Sequence, residues 1–498
     1  MSRWRLSDPK GPARRSAAPW ECRSTRPWAR LILLAWLGIS TGCAVGPEYV
    51  PPETAVPPAW HATLDGGATA EQTDPATLAS WWSTLDDPVL TSLIERAVMN
   101  NLDLKKARAR LREARASRGI KQAGLLPTLD GTGSATRSRS SQKAAAGDTQ
   151  DVSAYAIGFD ASWELDLFGG VRRSVESATA TLQATTEDLR NTLVSLLAEV
   201  ALNYIEARTY QARLAVAEAN LKTQTETVAL AAMRREAGLA TALDVEQATY
   251  TLESTRSQIP TLQSGLEQDK NQLAVLLGEP PGAVQAELAE RRSIPVPPLE
   301  VAVGVPADVL RQRPDVRQAE RKLAAQTAEI GVATAELYPK VTLLGSIGLD
   351  ALSLTNLFSA ASRTSSVGPN LSWRLFDAGA VRKNIEVQSA LQEQTLVAYE
   401  TTVLTALKEV ENSLVAYANE QRRRAALTEA TRAAERAVEL AQSKYGAGMV
   451  DFRSVLDAEA SLLSFQDQLA QSDGTVASNL VRLYKALGGG WTSLAPGP

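Results

Sequence analysis

The sequence predicts a mixed α/β membrane protein built as two tandem copies of one unit. Each copy holds a β-hairpin and coiled-coil helices far longer than those of a globular domain. Three observations carry this reading. The chain repeats itself in register at an offset of 210 residues. Within each copy the apolar period switches from helical to two and back. The stretches Val171–Arg235 and Val381–Lys444 contain neither glycine nor proline, so each could run about 100 Å as helix.

The duplication is the strongest of the three. Ser162-Trp163-Glu164-Leu165 returns as Ser372-Trp373-Arg374-Leu375, and Gly169-Gly170-Val171-Arg172-Arg173 as Gly379-Ala380-Val381-Arg382-Lys383. The same offset pairs Ala198-Glu199-Val200 with Lys408-Glu409-Val410, Gly238 with Gly448, and Leu277-Gly278 with Leu487-Gly488. Upstream the offset becomes 212, pairing Leu102-Asp103-Leu104 with Pro314-Asp315-Val316 and Pro127 with Pro339. The change falls in a polar stretch where loop length is free to vary. Repeat 1 is thus expected over 89–278 and repeat 2 over 307–488, joined by a Pro/Gly-rich linker at 279–306. A segment at 43–88 precedes them and a tail at 489–498 follows.

In each repeat the first element is a helix. Val89–Gln122 lacks proline, is rich in Ala, Leu, Arg and Lys, and stops before Pro127. Two strands follow. Tyr155, Ile157, Phe159, Ala161, Trp163 and Leu165 alternate with smaller or polar residues, as do Val367, Pro369, Leu371, Trp373 and Leu375. Their partners are Leu129–Ala135 and Val341–Leu349, with loops near Ser138–Asp151 and Thr355–Ser366, giving hairpins at about 127–168 and 339–378. The long helix comes next. Leu396, Val403, Leu407, Val410, Leu414 and Tyr417 step by sevens, fours and threes, a coiled-coil seam matched in copy one by Thr186, Leu193, Leu197, Val200, Tyr204 and Ala207. Gly238 and Gly448 turn the chain, and a second helix returns to Gly278 or Gly488.

The N-terminus reads as an export signal. Eight basic residues in 1–30 precede the uncharged run Leu31–Ile39, followed by Ser40-Thr41-Gly42-Cys43. The run is too short to span a bilayer, which takes about 20 residues. The small residues before Cys43 resemble a bacterial lipobox, with Ser40 where leucine is usual. The resemblance implies cleavage after residue 42, lipid on Cys43 and, with Ala44 rather than aspartate next, outer-membrane sorting. Cys22 leaves with the signal. The mature chain then carries a formal charge of -10. That balance opposes nucleic-acid binding. With one histidine and two cysteines in 498 residues, zinc clusters and histidine-dependent catalysis are poorly served. No nucleophile motif, phosphate loop or metal-spaced ligand set occurs, so no enzyme, cofactor or metal site is expected. His61 reads as a solvated loop residue. The four methionines are scattered and form no path for soft metals.

Strands of about 10 residues are long enough to cross an outer membrane when tilted. Four of them cannot do so alone, because two open edges would leave backbone groups unpaired in lipid. Closure requires an oligomer: eight strands with twofold symmetry, whose interior fills with side chains, or twelve with threefold, which leaves a passage.

Cys43-Ala44-Val45-Gly46-Pro47-Glu48-Tyr49-Val50-Pro51-Pro52, Trp81-Trp82 with Asp87-Pro88, Arg313-Pro314-Asp315-Val316 and the paired glycine turns resemble the outer-membrane lipoprotein channels of efflux pumps, the TolC-like, OprM/NodT family. The resemblance covers nearly all of the mature chain. It implies a homotrimer with a 12-stranded β-barrel in the outer membrane and a 12-helix periplasmic tunnel. It also implies partnership with a periplasmic adaptor (membrane fusion) protein and an inner-membrane RND-type transporter, with drugs or other small toxic compounds as cargo. By the same resemblance Asp457 matches a ring-forming aspartate, with Asp451 and Arg453 beside it as further gate candidates. Gly238, Leu239, Gly448 and Met449 become the candidates for adaptor docking. Arg453 stands where the family is usually apolar, and Ala460 where an arginine can pair with the aspartate. Arg453 and Asp457 are themselves spaced for an i,i+4 ion pair. A type I protein-secretion duct and a pore-less, lipid-tethered coiled coil are the alternative readings.

Overall fold

The structure, a computed structural model, describes residues 44–53, 56–71, 74–139, 151–296 and 300–491. The expected signal peptide, Cys43, most of the first hairpin loop and residues 492–498 of the tail lie outside the described residues. In chain order the elements are β1 (Ala68–Thr69), α1 (Pro75–Ala79), α2 (Pro88–Asn100), α3 (Leu102–Ala123), β2 (Thr128–Arg139), β3 (Asp151–Leu165), α4 (Gly170–Glu236), α5 (Ala242–Leu276), β4 (Val301–Ala302), α6 (Pro306–Gln312), α7 (Pro314–Ala335), β5 (Lys340–Ala351), β6 (Arg363–Ser372), α8 (Ala380–Gly446) and α9 (Phe452–Ala486). The duplication is visible in their lengths: α4 and α8 have 67 residues each, α5 and α9 have 35 each.

The helix expected over Val89–Gln122 is two helices, because Asn101 interrupts it. Its Oδ1 accepts from the Leu104 amide at 2.9 Å, capping α3, while its Nδ2 donates to the Leu276 carbonyl at 2.9 Å, closing the end of α5. Capping satisfies backbone groups that a helix end leaves without partners. Copy two carries the same device on a different residue. Arg313, at the position matching Asn101, donates from Nη1 to the Ala486 carbonyl at 2.7 Å and pairs with Asp315 and Glu409 at 2.7 and 2.6 Å. Pro314 opens α7, where its missing N–H costs nothing. The Arg313-Pro314-Asp315-Val316 segment is therefore a clamp between the two ends of its repeat.

Copy-one helix α4 is the central element, packed on α3, α5, α7 and copy-two helix α9, whereas α8 packs on α7 and α9. The largest apolar core lies where α2, the middle of α4 and the last turns of α5 and α9 converge. The paired tryptophans belong to it: Trp81 is stacked on Tyr484 with ring centroids 5.6 Å apart. Asp87 caps α2 and accepts from the Tyr204 hydroxyl at 2.6 Å. These motif residues hold the belt of the molecule together.

The four long strands form one antiparallel sheet in the order β2-β3-β5-β6, while the short β1 and β4 pair in parallel with each other. The hairpin of each copy is joined to the other through β3 and β5, with Phe159 opposite Ile347 and Trp163 opposite Leu343. Both expected ends of β6 differ. β6 begins at Arg363, inside the expected loop, because Arg363, Thr364 and Ser365 already pair with Leu349, Gly348 and Ile347. It also ends at Ser372, so Trp373 and Leu375 lie beyond it. There the Trp373 indole N–H donates to the Leu337 carbonyl at 3.1 Å, just as Trp163 donates to Leu125 at 3.0 Å. One duplicated hydrogen bond thus ties each hairpin to the turn that precedes it.

Candidate functional site

Register decides what the sheet offers. On one face lie Ile157, Phe159, Leu343, Ile347, Val367 and Leu371, all exposed in the single chain. On the other lie Asp130, Thr132, Asp160, Ser346, Asp350, Ser366 and Asn370. An exposed apolar face backed by a polar one suits a wall between lipid and water. The strands have 12, 15, 12 and 10 residues, enough to cross a bilayer with tilt. Among the described residues no helix is long and apolar enough to cross a membrane. The outer edges of β2 and β6 pair with no strand among the described residues.

At the far end of the long helices the two turns share one geometry. Gly238 and Gly448 have φ of +76° and +69°, a region that costs an L side chain strain. The amides of Leu239 and Met449 reach back to the Arg234 and Lys444 carbonyls at 2.8 and 2.9 Å, and those of Gly238 and Gly448 to Arg235 and Tyr445. This is the Schellman closure of a helix. It leaves Leu239 75% and Met449 68% exposed at the tips.

The return helices start differently. α5 opens on a reciprocal capping box between Thr241 and Asp244. α9 opens on Asp451, which accepts from the amide and hydroxyl of Ser454 at 3.0 and 2.6 Å. Those hydrogen bonds hold the Asp451 carboxyl below its ordinary value. Asp451 is thus a helix cap. Arg453 and Asp457 form the i,i+4 pair at 3.7 Å, both largely exposed. Next to them Phe452 and Leu456 are buried with Ala231 and Ala248 of copy one. Tyr445 lies against Phe452 at 5.2 Å, and the Arg234 guanidinium stands 4.4 Å from the Tyr445 ring centroid. This aromatic junction between the copies escaped the reading of residues, since nothing in the spacing of Arg234 announces Tyr445.

The N-terminal segment is held at the strand end of the helices. The Val45 amide donates to Phe168, and the buried Arg173 donates from Nε to the Val45 carbonyl, both at 3.1 Å. A Cβ on Gly46 would lie 2.5 Å from Cα of Gly331, so glycine is what lets the backbone cross there. Farther on, the amides of His61 and Ala62 donate to the two carboxylate oxygens of Glu411. The His61 side chain is exposed, as expected.

The outer membrane efflux protein family matches the chain twice, at residues 93–279 and 305–489. The chain belongs to that family. The two matched stretches lie one in each copy of the duplication. This efflux channel is 34% identical to Nodulation protein T of Rhizobium leguminosarum bv. trifolii over 95% of its own length and 98% of that protein's. It is 33% identical to the toluene efflux pump outer membrane protein TtgI of Pseudomonas putida, covering 91% of this chain and 96% of that one. Among solved structures it superposes on the outer-membrane channel OprN with a TM-score of 0.86 at 37% identity, over 90% of this chain and 100% of that one. The protein is an outer-membrane exit duct of an efflux pump with a TolC-like fold. Its family is one of transport ducts, and no group of three or more potential metal ligands occurs among the described residues.

Proposed function

We propose that the duct works as a homotrimer. Three sheets, each with two open edges, would join β6 of one chain to β2 of the next into twelve strands, the apolar face toward lipid and the polar face toward the passage. The unpaired edges of an otherwise complete sheet carry this reading, because an open edge in lipid costs several kcal/mol for each unpaired group. The long helices would continue the tunnel in the periplasm as repeats 89–278 and 307–488. Lipid on Cys43 would anchor the chain, a reading supported by Ala44 and Val45 being held at the junction of strands and helices. Gly238, Leu239, Gly448 and Met449 would meet a periplasmic adaptor fed by an inner-membrane RND-type transporter. The exposed Leu239 and Met449 support this, as an apolar tip in water suits a partner surface. Small toxic organic compounds would be the cargo, in keeping with the toluene pump among the relatives.

The gate would lie at the copy-two turn. Threefold symmetry would bring three Asp457 carboxylates near one axis, where like charges repel and attract cations. Conductance of the purified lipidated protein in planar bilayers tests this. A small, cation-sensitive conductance that rises in Asp457→Ala is expected. A large conductance unchanged by the substitution would move the seal elsewhere, and failure to insert would sink the barrel. Cys43→Ser should lose the acyl mass while the barrel still keeps the protein in the membrane fraction; an unchanged mass would remove the anchor.

A further inference from the structure

We propose that Glu459 holds the helical hairpin of copy two, α8 and α9, against copy one, and that taking up a proton there tightens the hold. The proposal rests on the gate reading above and deepens it, naming the residue that positions the helices bearing the gate. Glu459 lies on α9, two residues past Asp457, yet only 4% of it is exposed. Its carboxylate bridges three helices. It accepts from the Thr227 hydroxyl on α4 at 3.2 Å and from the Gln442 side-chain amide on α8 at 3.1 Å. It therefore joins both helices of the copy-two hairpin to the long helix of copy one.

No cation balances it: among the described residues Glu459 forms no ion pair. The charged residues nearest these contacts along the surrounding helices are Glu226 on α4, Glu246 on α5, Lys444 on α8 and Arg453 and Asp457 on α9, and all are exposed. The duplication shows that the fold does not require a carboxyl here. The copy-one positions matching Glu459 and Gln442 are Thr249 and Ala232. The device belongs to copy two alone, the half that carries the proposed gate.

The sign of the coupling follows from burial. Removal from water disfavours the charged form, and this outweighs the two neutral hydrogen bonds, so the carboxyl of docked Glu459 titrates above its ordinary 4.5. A hairpin that swings away returns Glu459 to water and to that ordinary value. Protons then favour the docked state. Docking is fully supported below the ordinary value and weakens as pH rises through the raised one. Each unit by which burial moves the titration corresponds to about tenfold in the docking equilibrium of one protomer.

The test is the open probability of the full-length lipidated channel in planar bilayers from pH 4 to 8, compared with Glu459→Gln. Glutamine keeps the shape and the uncharged state. Wild type should open more as pH rises, and Glu459→Gln should stay at the low-pH level throughout. Thr227→Val, which removes one hydrogen bond to the charged form, should shift the wild-type midpoint upward. This second variant decides the matter if Glu459→Gln fails to assemble. A pH response that persists in Glu459→Gln, or a midpoint indifferent to Thr227→Val, would overturn the proposal. Asp457→Ala separates the two ideas. Higher conductance in Asp457→Ala with an unaltered pH response in Glu459→Gln would keep the gate and reject the latch. The reverse pattern would keep the latch and reject the aspartate ring.

Discussion

Gly474→Ala sets helix propensity directly against packing. Gly474 lies inside α9, where glycine is less favourable than alanine by about 1 kcal/mol. On propensity alone the substitution should stabilise. The structure predicts the opposite. A Cβ at Gly474 would stand 1.9 Å from Oγ1 of Thr209 on α4 and 2.9 Å from both its Cβ and Cγ2. Thr209 cannot easily yield: it is 2% exposed, and its hydroxyl donates to the Ile205 carbonyl at 2.8 Å. A β-branched side chain in a helix has few rotamers to retreat to, so α9 must move away from α4. Overpacking of this kind costs about 1–3 kcal/mol, and three close atoms place it at the upper end. Less the propensity gain, about 2 kcal/mol of net destabilisation remains. Thermal loss of helical circular dichroism at one scan rate would measure it, with Thr209→Ala and the double variant completing a cycle. Thr209→Ala removes two of the three obstructing atoms, so the double variant should recover about half of the loss. A Gly474→Ala protein that melts at or above wild type, or no coupling with Thr209, would refute the argument.

Two further outcomes follow from buried polar groups. Asp269 on α5 has an Oδ2 buried without a hydrogen-bond partner among the described residues, and burial together with nearby Glu206 raises its carboxyl from 3.8 to about 7. Its contribution to stability is full only below the ordinary value and falls away as pH rises to about 7, so Asp269→Asn should melt well above wild type at pH 8 and by a smaller margin at pH 5. An equal gap at both pH values would refute this. For the two repeat clamps, Asn101→Ala should cost about 1 kcal/mol as a lost cap. Arg313→Ala should cost about 2–3 kcal/mol, below the range for breaking a fully buried pair because Glu409 is half exposed. Denaturant titration of the two variants should give that order, and a reversed order would mean that Arg313 is not the stronger clamp.

What could be read from residues alone was periodic or local. A register kept over a whole repeat, a period of two in the hairpins and a seam of sevens in the long helices depend on backbone geometry. The same residues therefore announce strands and helices before any packing is known. The tip turns were legible because a positive φ favours glycine at Gly238 and Gly448, and the Arg453–Asp457 pair because four residues make about one helical turn. Tertiary structure decided the rest. Asn101 breaks a helix that propensity would continue, since a carbonyl at Leu276, far along the chain, needs its side chain. Glu459, a carboxylate among others in sequence, becomes buried only because Thr227, in the other copy of the repeat, is brought against it. Burial depends on which segments meet, and a pattern within one segment carries no record of its partner.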